Sequence, residues 1–320
     1  MCQILKGPGF PLHAYFSMRK YLLISFLLCV SFWVKAQKTL IYFEQDTVQL
    51  SLDLYYPQLP YSGKIPLVIF VHGGGFSSGD RSSGAEFCNY AASQGYAAAT
   101  ISYTLYMKGK SFGCDGILSE KVKAIRFAVS QLWQATSYFT HNSVDLGIDT
   151  NQIFLAGNSA GAETLLHAAF WNRQMMNLYT GGLTQSFRYA GLLSGSGAIM
   201  DLNLIQKSNM IPILLSHGNC DPLVPYGTAA HHFCNPDAPG WLMLFGSASI
   251  YEWVSKQGGT VSLLSFCNGG HELSDILFTE KKKVSVDFMN RVIAGEKFSE
   301  HNEIQLNQDC DKRQQSIFCD

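Results

Sequence analysis

The stretch Ile153-Phe154-Leu155-Ala156-Gly157-Asn158-Ser159-Ala160-Gly161 constrains this chain more than any other. Its four apolar residues in a row read as a strand covered on both faces. Two glycines then bracket a serine, and the run Ala162-Glu163-Thr164-Leu165-Leu166-His167 has the composition of a helix. A strand that turns into a helix within so few residues needs positions free of side-chain clashes, and strands alternating with helices build a parallel sheet with crossovers. The pattern Gly-x-Ser-x-Gly also occurs at Gly75–Gly79 and at Gly109–Gly113. Average glycine and serine usage gives only about 0.1 chance matches in a chain of this length, so the flanking elements must separate the three.

The same alternation runs through the chain. Strands are predicted at 40–43, 47–55, 67–71, 96–103, 153–156, 189–193, 211–216 and 261–266. Helices are predicted at 86–94, 120–134, after Ser159, at 247–256 and at 284–294. No repeat or linker marks a second domain, so residues 37–320 read as one α/β domain whose polar tail from Lys297 has no assigned element. At 47% hydrophobic and 15% charged, the chain can bury a sizeable core.

The first 36 residues differ. Arg19-Lys20 precede the uncharged run Tyr21–Val34, and Val34-Lys35-Ala36 offers small residues where a signal peptidase reads. The expectation is a prefix and signal peptide over 1–36, starting at Met18, cleaved after Ala36 and directing the protein to the periplasm or outside. The run is well short of the roughly 20 apolar residues that span a bilayer, so no stable membrane anchor is expected. Residues 1–36 carry four of the 23 basic residues and none of the 24 acidic ones, which leaves an acidic remainder and no sign of a nucleic-acid partner.

Seven cysteines follow: Cys88, Cys114, Cys220, Cys234, Cys267, Cys310 and Cys319. In an exported protein some pair, and the short loops Cys220/Cys234 and Cys310/Cys319 are the expected bridges, with at least one thiol left over. Neither Cys-x-x-Cys nor His-x₃-His spacing appears, so no metal or other cofactor is expected.

Only Ser159 has a strand before it and a helix after it. Ser77 leads into the loop-like Asp80-Arg81-Ser82-Ser83-Gly84, and Ser111 has no strand directly before it. Gly109-Lys110-Ser111 lacks the glycine a phosphate loop needs five residues earlier, where Thr104 stands. A serine hydroxyl needs a base, and the base an orienting acid. In a parallel sheet these come from loops at the carboxyl ends of later strands. Asp221, after strand 211–216, and His271, after strand 261–266, meet that requirement in the order Ser, Asp, His. Backbone amides of Gly74, Gly75 and Ala160 are the expected donors to a developing oxyanion.

His72-Gly73-Gly74-Gly75-Phe76 resembles the HGGG oxyanion motif of lipases and carboxylesterases of the α/β-hydrolase superfamily, and Gly157-Asn158-Ser159-Ala160-Gly161 resembles their GxSAG elbow. The resemblance covers roughly 47–294. It implies a three-layer α/β-hydrolase fold, a mostly parallel sheet of about eight strands flanked by helices, and a Ser-His-Asp triad on Ser159, His271 and Asp221. Asn158 departs from it, because esterases of this kind usually carry an acidic residue there. Only seventeen residues, 194–210, separate Leu193 from the next predicted strand, so no large lid is expected.

Other residues compete for these roles. His231, His232 and His301 are alternatives to the base, and Asp201, Glu272 and Asp275 to the acid. His72 and His217 read as loop braces, and Asp80, Glu163 and Cys220 as structural. Segment 226–245 is either a packed surface loop or a substrate wall. The expected function is a secreted serine carboxylic-ester hydrolase for short acyl groups, with acetyl or feruloyl esters of polysaccharide as candidate substrates. A peptidase for short peptides and a non-catalytic binding protein are the alternatives. The natural ester and the oligomeric state are left open.

Overall fold

In the computed structural model, residues 37–57, 63–180, 182–310 and 318–319 are described. The expected prefix and signal peptide lie outside them. The eight strands that the apolar runs announced lie in one nine-stranded sheet. In chain order these are β1 (Gln37–Gln45), β2 (Val48–Tyr55), β3 (Ile65–Val71), β4 (Ala97–Ile101), β5 (Ile148–Asn158) and β6 (Gly191–Gly195). A two-residue strand β7 (Ala198–Ile199) stands apart, and the sheet resumes with β8 (Ile213–Gly218). Strands β9 (Thr228–Ala230) and β10 (Met243–Gly246) join β7 in a second, three-stranded sheet. The main sheet closes with β11 (Val261–Cys267) and β12 (Ser299–Gln305).

Its spatial order is β1-β2-β4-β3-β5-β6-β8-β11-β12. Strand β2 pairs antiparallel with both neighbours, and every later pairing is parallel. The helices longer than one turn are α1 (Ala85–Ser93), α2 (Leu118–His141), α3 (Ala160–Phe170), α4 (Ser247–Lys256) and α5 (Lys282–Ile293).

The layering follows from the two-residue period of a strand. Leu67, Ile69 and Val71 point into one core with Trp133 of α2, Leu165 of α3 and Val254 of α4. Val68 and Phe70 point into the other with Phe87 of α1 and Phe288 of α5. A strand buried on both sides has no polar face, which is why its sequence reads as an unbroken apolar run. The result is the α/β-hydrolase fold, a mostly parallel sheet between two helical layers. Helix α2 runs past the expected residue 134 because Ala135 and Phe139 continue its buried stripe.

The ninth strand comes from the polar tail. β12 pairs parallel with β11 from Val261↔Ser299 to Cys267↔Gln305. As an edge strand reading Ser-Glu-His-Asn-Glu-Ile-Gln, it gives little apolar signal. Its return also decides the disulfides. The expected Cys220/Cys234 and Cys310/Cys319 bridges are replaced by Cys114–Cys234, Cys220–Cys310 and Cys267–Cys319. Cys220 and Cys267 sit at the carboxyl ends of β8 and β11, where the tail comes back, so spatial return outweighs nearness in sequence. The leftover thiol is Cys88, buried under the sheet against Phe87 and Ala91.

Candidate active site

The residue that ends β5 and opens α3 is Ser159, in a left-handed conformation (φ 52°, ψ −127°) that a non-glycine residue holds only under strain. Its own N–H donates to Gly195 O at 2.8 Å, and its carbonyl accepts the first helical bond from Glu163 N. The turn is tight because α3 starts against the end of β3. A Cβ at Gly161 would lie 2.0 Å from Val71 O and 2.8 Å from His72 O. The helix therefore begins where only glycine fits, and the serine hydroxyl stands clear at its N-terminus.

That hydroxyl donates to His271 Nε2 at 2.8 Å. The other ring nitrogen, Nδ1, donates to Asp221 Oδ2 at 2.6 Å. Asp221 Oδ1 accepts from the amides of Leu223 and Val224 at 2.8 and 3.0 Å, so the carboxylate is fixed from both sides. Burial pushes the Asp221 carboxyl up, but hydrogen bonds from His217 and His271 and their charge prevail and hold it well below the usual carboxylate range. Burial pushes His271 down, yet the Asp221 hydrogen bond and charge, with help from Glu163 and Glu272, raise it above the ordinary 6.5. The arrangement is a buried carboxylate, an oriented imidazole and a serine hydroxyl in line, which is what moving the serine proton requires.

His217 braces the acid, as the sequence suggested. Its Nε2 lies 3.2 Å from Val224 O and 3.3 Å from Asp221 Oδ2, and its Nδ1 pairs with Ser247 Oγ at 2.9 Å. His72 likewise serves its loop, with Nδ1 2.7 Å from Gly73 O and its ring stacked on Tyr103. His301 lies in β12 on Ser265 Oγ. Asp201 caps the turn Leu202–Leu204, and Glu272 accepts from Gly270 N. Ser77 donates to Gly74 O and Ser111 to Asp115 Oδ1. Among the described residues neither serine meets an imidazole.

A cavity of about 520 Å³ opens at Ser159 and His271. Gly74, Gly75 and Ala160, the expected amide donors, line it. Gly74 (φ 109°) turns the loop so that its own carbonyl takes Ser77 N and Ser78 N, and a Cβ there would lie 2.2 Å from Ser78 O. Ala160 opens α3, so its N–H has no partner inside the helix.

Two features of the wall escaped the sequence reading, the roles of Asn158 and Glu163, and a third was one of its open alternatives. Asn158 Oδ1 accepts from Gly73 N at 2.9 Å, which ties the glycine loop to the serine turn. The position needs an acceptor, and a neutral amide supplies one as well as a carboxylate does. Glu163, four residues after Ser159 and so on the same helix face, is 1% exposed and reaches the cavity. His231 and His232 place segment 226–245 at the cavity as a wall. Among the described residues no group of three or more His, Cys, Asp or Glu is arranged to hold a metal, and no helix is long and apolar enough to cross a membrane.

Fold and site define a class: the chain has the α/β-hydrolase fold, and its sequence is similar to carboxylesterase-like members of that superfamily. The family model described as BD-FAE matches residues 52–209. The chain is 30% identical over 172 residues to a probable isoprenylcysteine alpha-carbonyl methylesterase of Oryza sativa subsp. japonica, covering 52% of this chain and 36% of that protein. It is 32% identical over 173 residues to gut esterase 1 of Caenorhabditis elegans, covering 52% and 28%. The chain thus spans about a third of the length of these two relatives. Among solved structures, apo Thermogutta terrifontis esterase 2 superposes with a TM-score of 0.59 at 16% identity, over 81% of this chain and 95% of that one. The same esterase phosphorylated by paraoxon gives 0.58. At that identity the likeness is one of fold.

Proposed function

We propose that the protein is a serine carboxylic-ester hydrolase that works through an acyl-enzyme. The observation that carries this is the unbroken chain Ser159 Oγ, His271, Asp221 at 2.8 and 2.6 Å. Ser159 Oγ attacks the ester carbonyl carbon as its proton passes to His271 Nε2. The carbonyl oxygen, now negative, takes hydrogen bonds from the amides of Gly74, Gly75 and Ala160. The C–O bond to the alcohol breaks, His271 returns the proton to the leaving alkoxide, and water repeats the sequence on the acyl-serine. Asp221 keeps Nδ1 protonated, so that Nε2 is the basic nitrogen.

The substrates are short acyl groups on a bulky alcohol, with acetyl or feruloyl esters of polysaccharide as the candidates. Support for short acyl groups comes from the short connection between β6 and β8, which among the described residues holds no large lid, and from the structural neighbour, Thermogutta terrifontis esterase 2, which has been solved bound to propionate and butyrate. Three disulfides support export to an oxidising compartment. Assays with nitrophenyl acetate, butyrate and longer esters test the reading. No turnover of any of them would move the assignment to a peptidase or a binding protein.

Two further outcomes are expected. Protonated His271 cannot accept the serine proton, and its pKa is raised above 6.5. kcat/KM therefore climbs with pH through a limb above 6.5, and a limb below that value would contradict the role of Asp221. Asn158→Ala strips the acceptor from Gly73 N–H. A fully buried unsatisfied donor costs about 1–3 kcal/mol; Gly73 is half-buried, so the lower end applies and turnover should fall roughly fivefold to tenfold as the glycine loop loosens. Wild-type turnover by that variant would show that the loop is held by other bonds.

A further inference from the structure

A second chain of acid and imidazoles faces the same cavity. His231 Nε2 lies 3.1 Å from Glu163 Oε1, facing it but off the line of a good hydrogen bond. His231 Nδ1 in turn lies 2.6 Å from His232 Nδ1. Both Glu163 and His231 are buried, whereas His232 is only partly so, and all three line the cavity with Ser159.

The proton positions follow from what each atom can do. A carboxylate carries only lone pairs and repels another, so the His231 nitrogen that faces it at 3.1 Å carries the hydrogen even though the angle is poor. Two Nδ1 atoms 2.6 Å apart must share one proton between them. With both rings neutral, His231 Nδ1 is the acceptor and His232 Nδ1 the donor. That leaves His232 Nε2 as a bare lone pair, and among the described residues it has no hydrogen-bond partner. Burial above all, with the charge of Lys121, lowers His232 to about 4, which keeps the ring neutral.

The backbone holds this arrangement in place. His232 and the next residue, Phe233, are both left-handed (φ 58° and 52°), a costly conformation for either side chain. The Cys114–Cys234 bridge locks the turn, as do bonds from His231 N to Leu242 O and from His232 N to Leu223 O. Phe112 packs edge-on against His231 at 5.2 Å.

We propose that His232 is a specificity-determining residue of this cavity, its Nε2 accepting a hydrogen bond from a hydroxyl of the ester and so selecting hydroxyl-bearing substrates over their alkyl analogues. Glu163 and His231 are positioning residues that set the tautomer. The inference rests on the ester-hydrolase reading above. An apolar group seated against this nitrogen removes it from water without replacing the bond, so the discrimination is about tenfold for one neutral hydrogen bond.

The test compares kcat/KM within matched pairs. Methyl 3-hydroxybutyrate against methyl butyrate places the hydroxyl on the acid side, and glycerol monoacetate against propyl acetate places it on the alcohol side. Dividing the wild-type ratio by the ratio for His232→Asn cancels the intrinsic effect of the hydroxyl on ester reactivity. Asn tolerates the left-handed backbone and is too short to reach the same point. The quotient is expected near ten on one arm, which identifies the side of the ester, and Glu163→Gln should lower the wild-type ratio on that same arm. A quotient of one on both arms, with the esters still turned over, overturns the inference and leaves the hydrolase reading standing. No turnover of any ester by the wild-type protein overturns that reading and the inference with it.

Discussion

Ser159→Ala is expected to lower ester kcat/KM by roughly 10⁴-fold or more, because removing a nucleophile disables the whole proton-transfer chain and not one contact. The residual rate is what the amide donors and substrate binding still supply to a water reaction. The fold should be unaffected. The bonds that hold residue 159 are its own N–H to Gly195 O and its carbonyl to Glu163 N, both of the backbone, and alanine keeps them. Alanine also inherits the strained φ of 52° unchanged. Turnover of nitrophenyl acetate by the purified variant, beside its melting temperature, is the measurement. Equal rates for variant and wild type would remove Ser159 from the chemistry. A loss of rate together with a loss of fold would call for the same assay on His271→Ala.

The second large effect is on stability. Gly161→Ala places a methyl in an α-helix, where alanine is favoured over glycine by about 1 kcal/mol. On propensity alone the variant would be more stable. The new Cβ, however, falls 2.0 Å from Val71 O and 2.7 Å from Val71 C. These are backbone atoms of a central strand, with no flexible side chain to swing aside, so β3 and α3 must move apart. Overpacking of this kind costs typically 1–3 kcal/mol and occasionally more. The upper end is expected, and after the propensity gain a net loss of about 2 kcal/mol or more remains. In a chain of this size that lowers the melting temperature by roughly 4 °C or more. Ester turnover should fall further than stability, because Val71 leads directly into the glycine loop that lines the cavity. A melting temperature at or above wild type would mean that the approach of strand and helix is looser than these distances describe.

Particular residues show where the sequence was readable. Central strands such as Leu67–Val71 declare themselves because both faces are buried and no polar residue interrupts the run. Ser159, Asp221 and His271 were legible because each stands just beyond such a run, and the parallel topology sends all those ends to one edge of the sheet. β12 was not legible, because an edge strand with a wet face mixes polar and apolar residues without a clear period. The disulfides failed for a related reason. Pairing short sequence loops assumes that neighbours in the chain are neighbours in space, and a tail that returns along β11 breaks that assumption.

By itself the sequence determined the layer architecture, and it singled out Ser159, His271, Asp221 and the glycine loop beside them as the candidate site. All of these are written in local pattern: apolar period, glycine at tight turns, polar residues at strand ends. Only the tertiary structure decided what Asn158, Glu163, His231 and His232 do. Asn158 meets Gly73 across 85 positions of chain, and Glu163 meets His231 because the Cys114–Cys234 bridge and a second small sheet fold a distant segment over Ser159. Contacts of that kind depend on which surfaces pack together, and no local period in the chain encodes them.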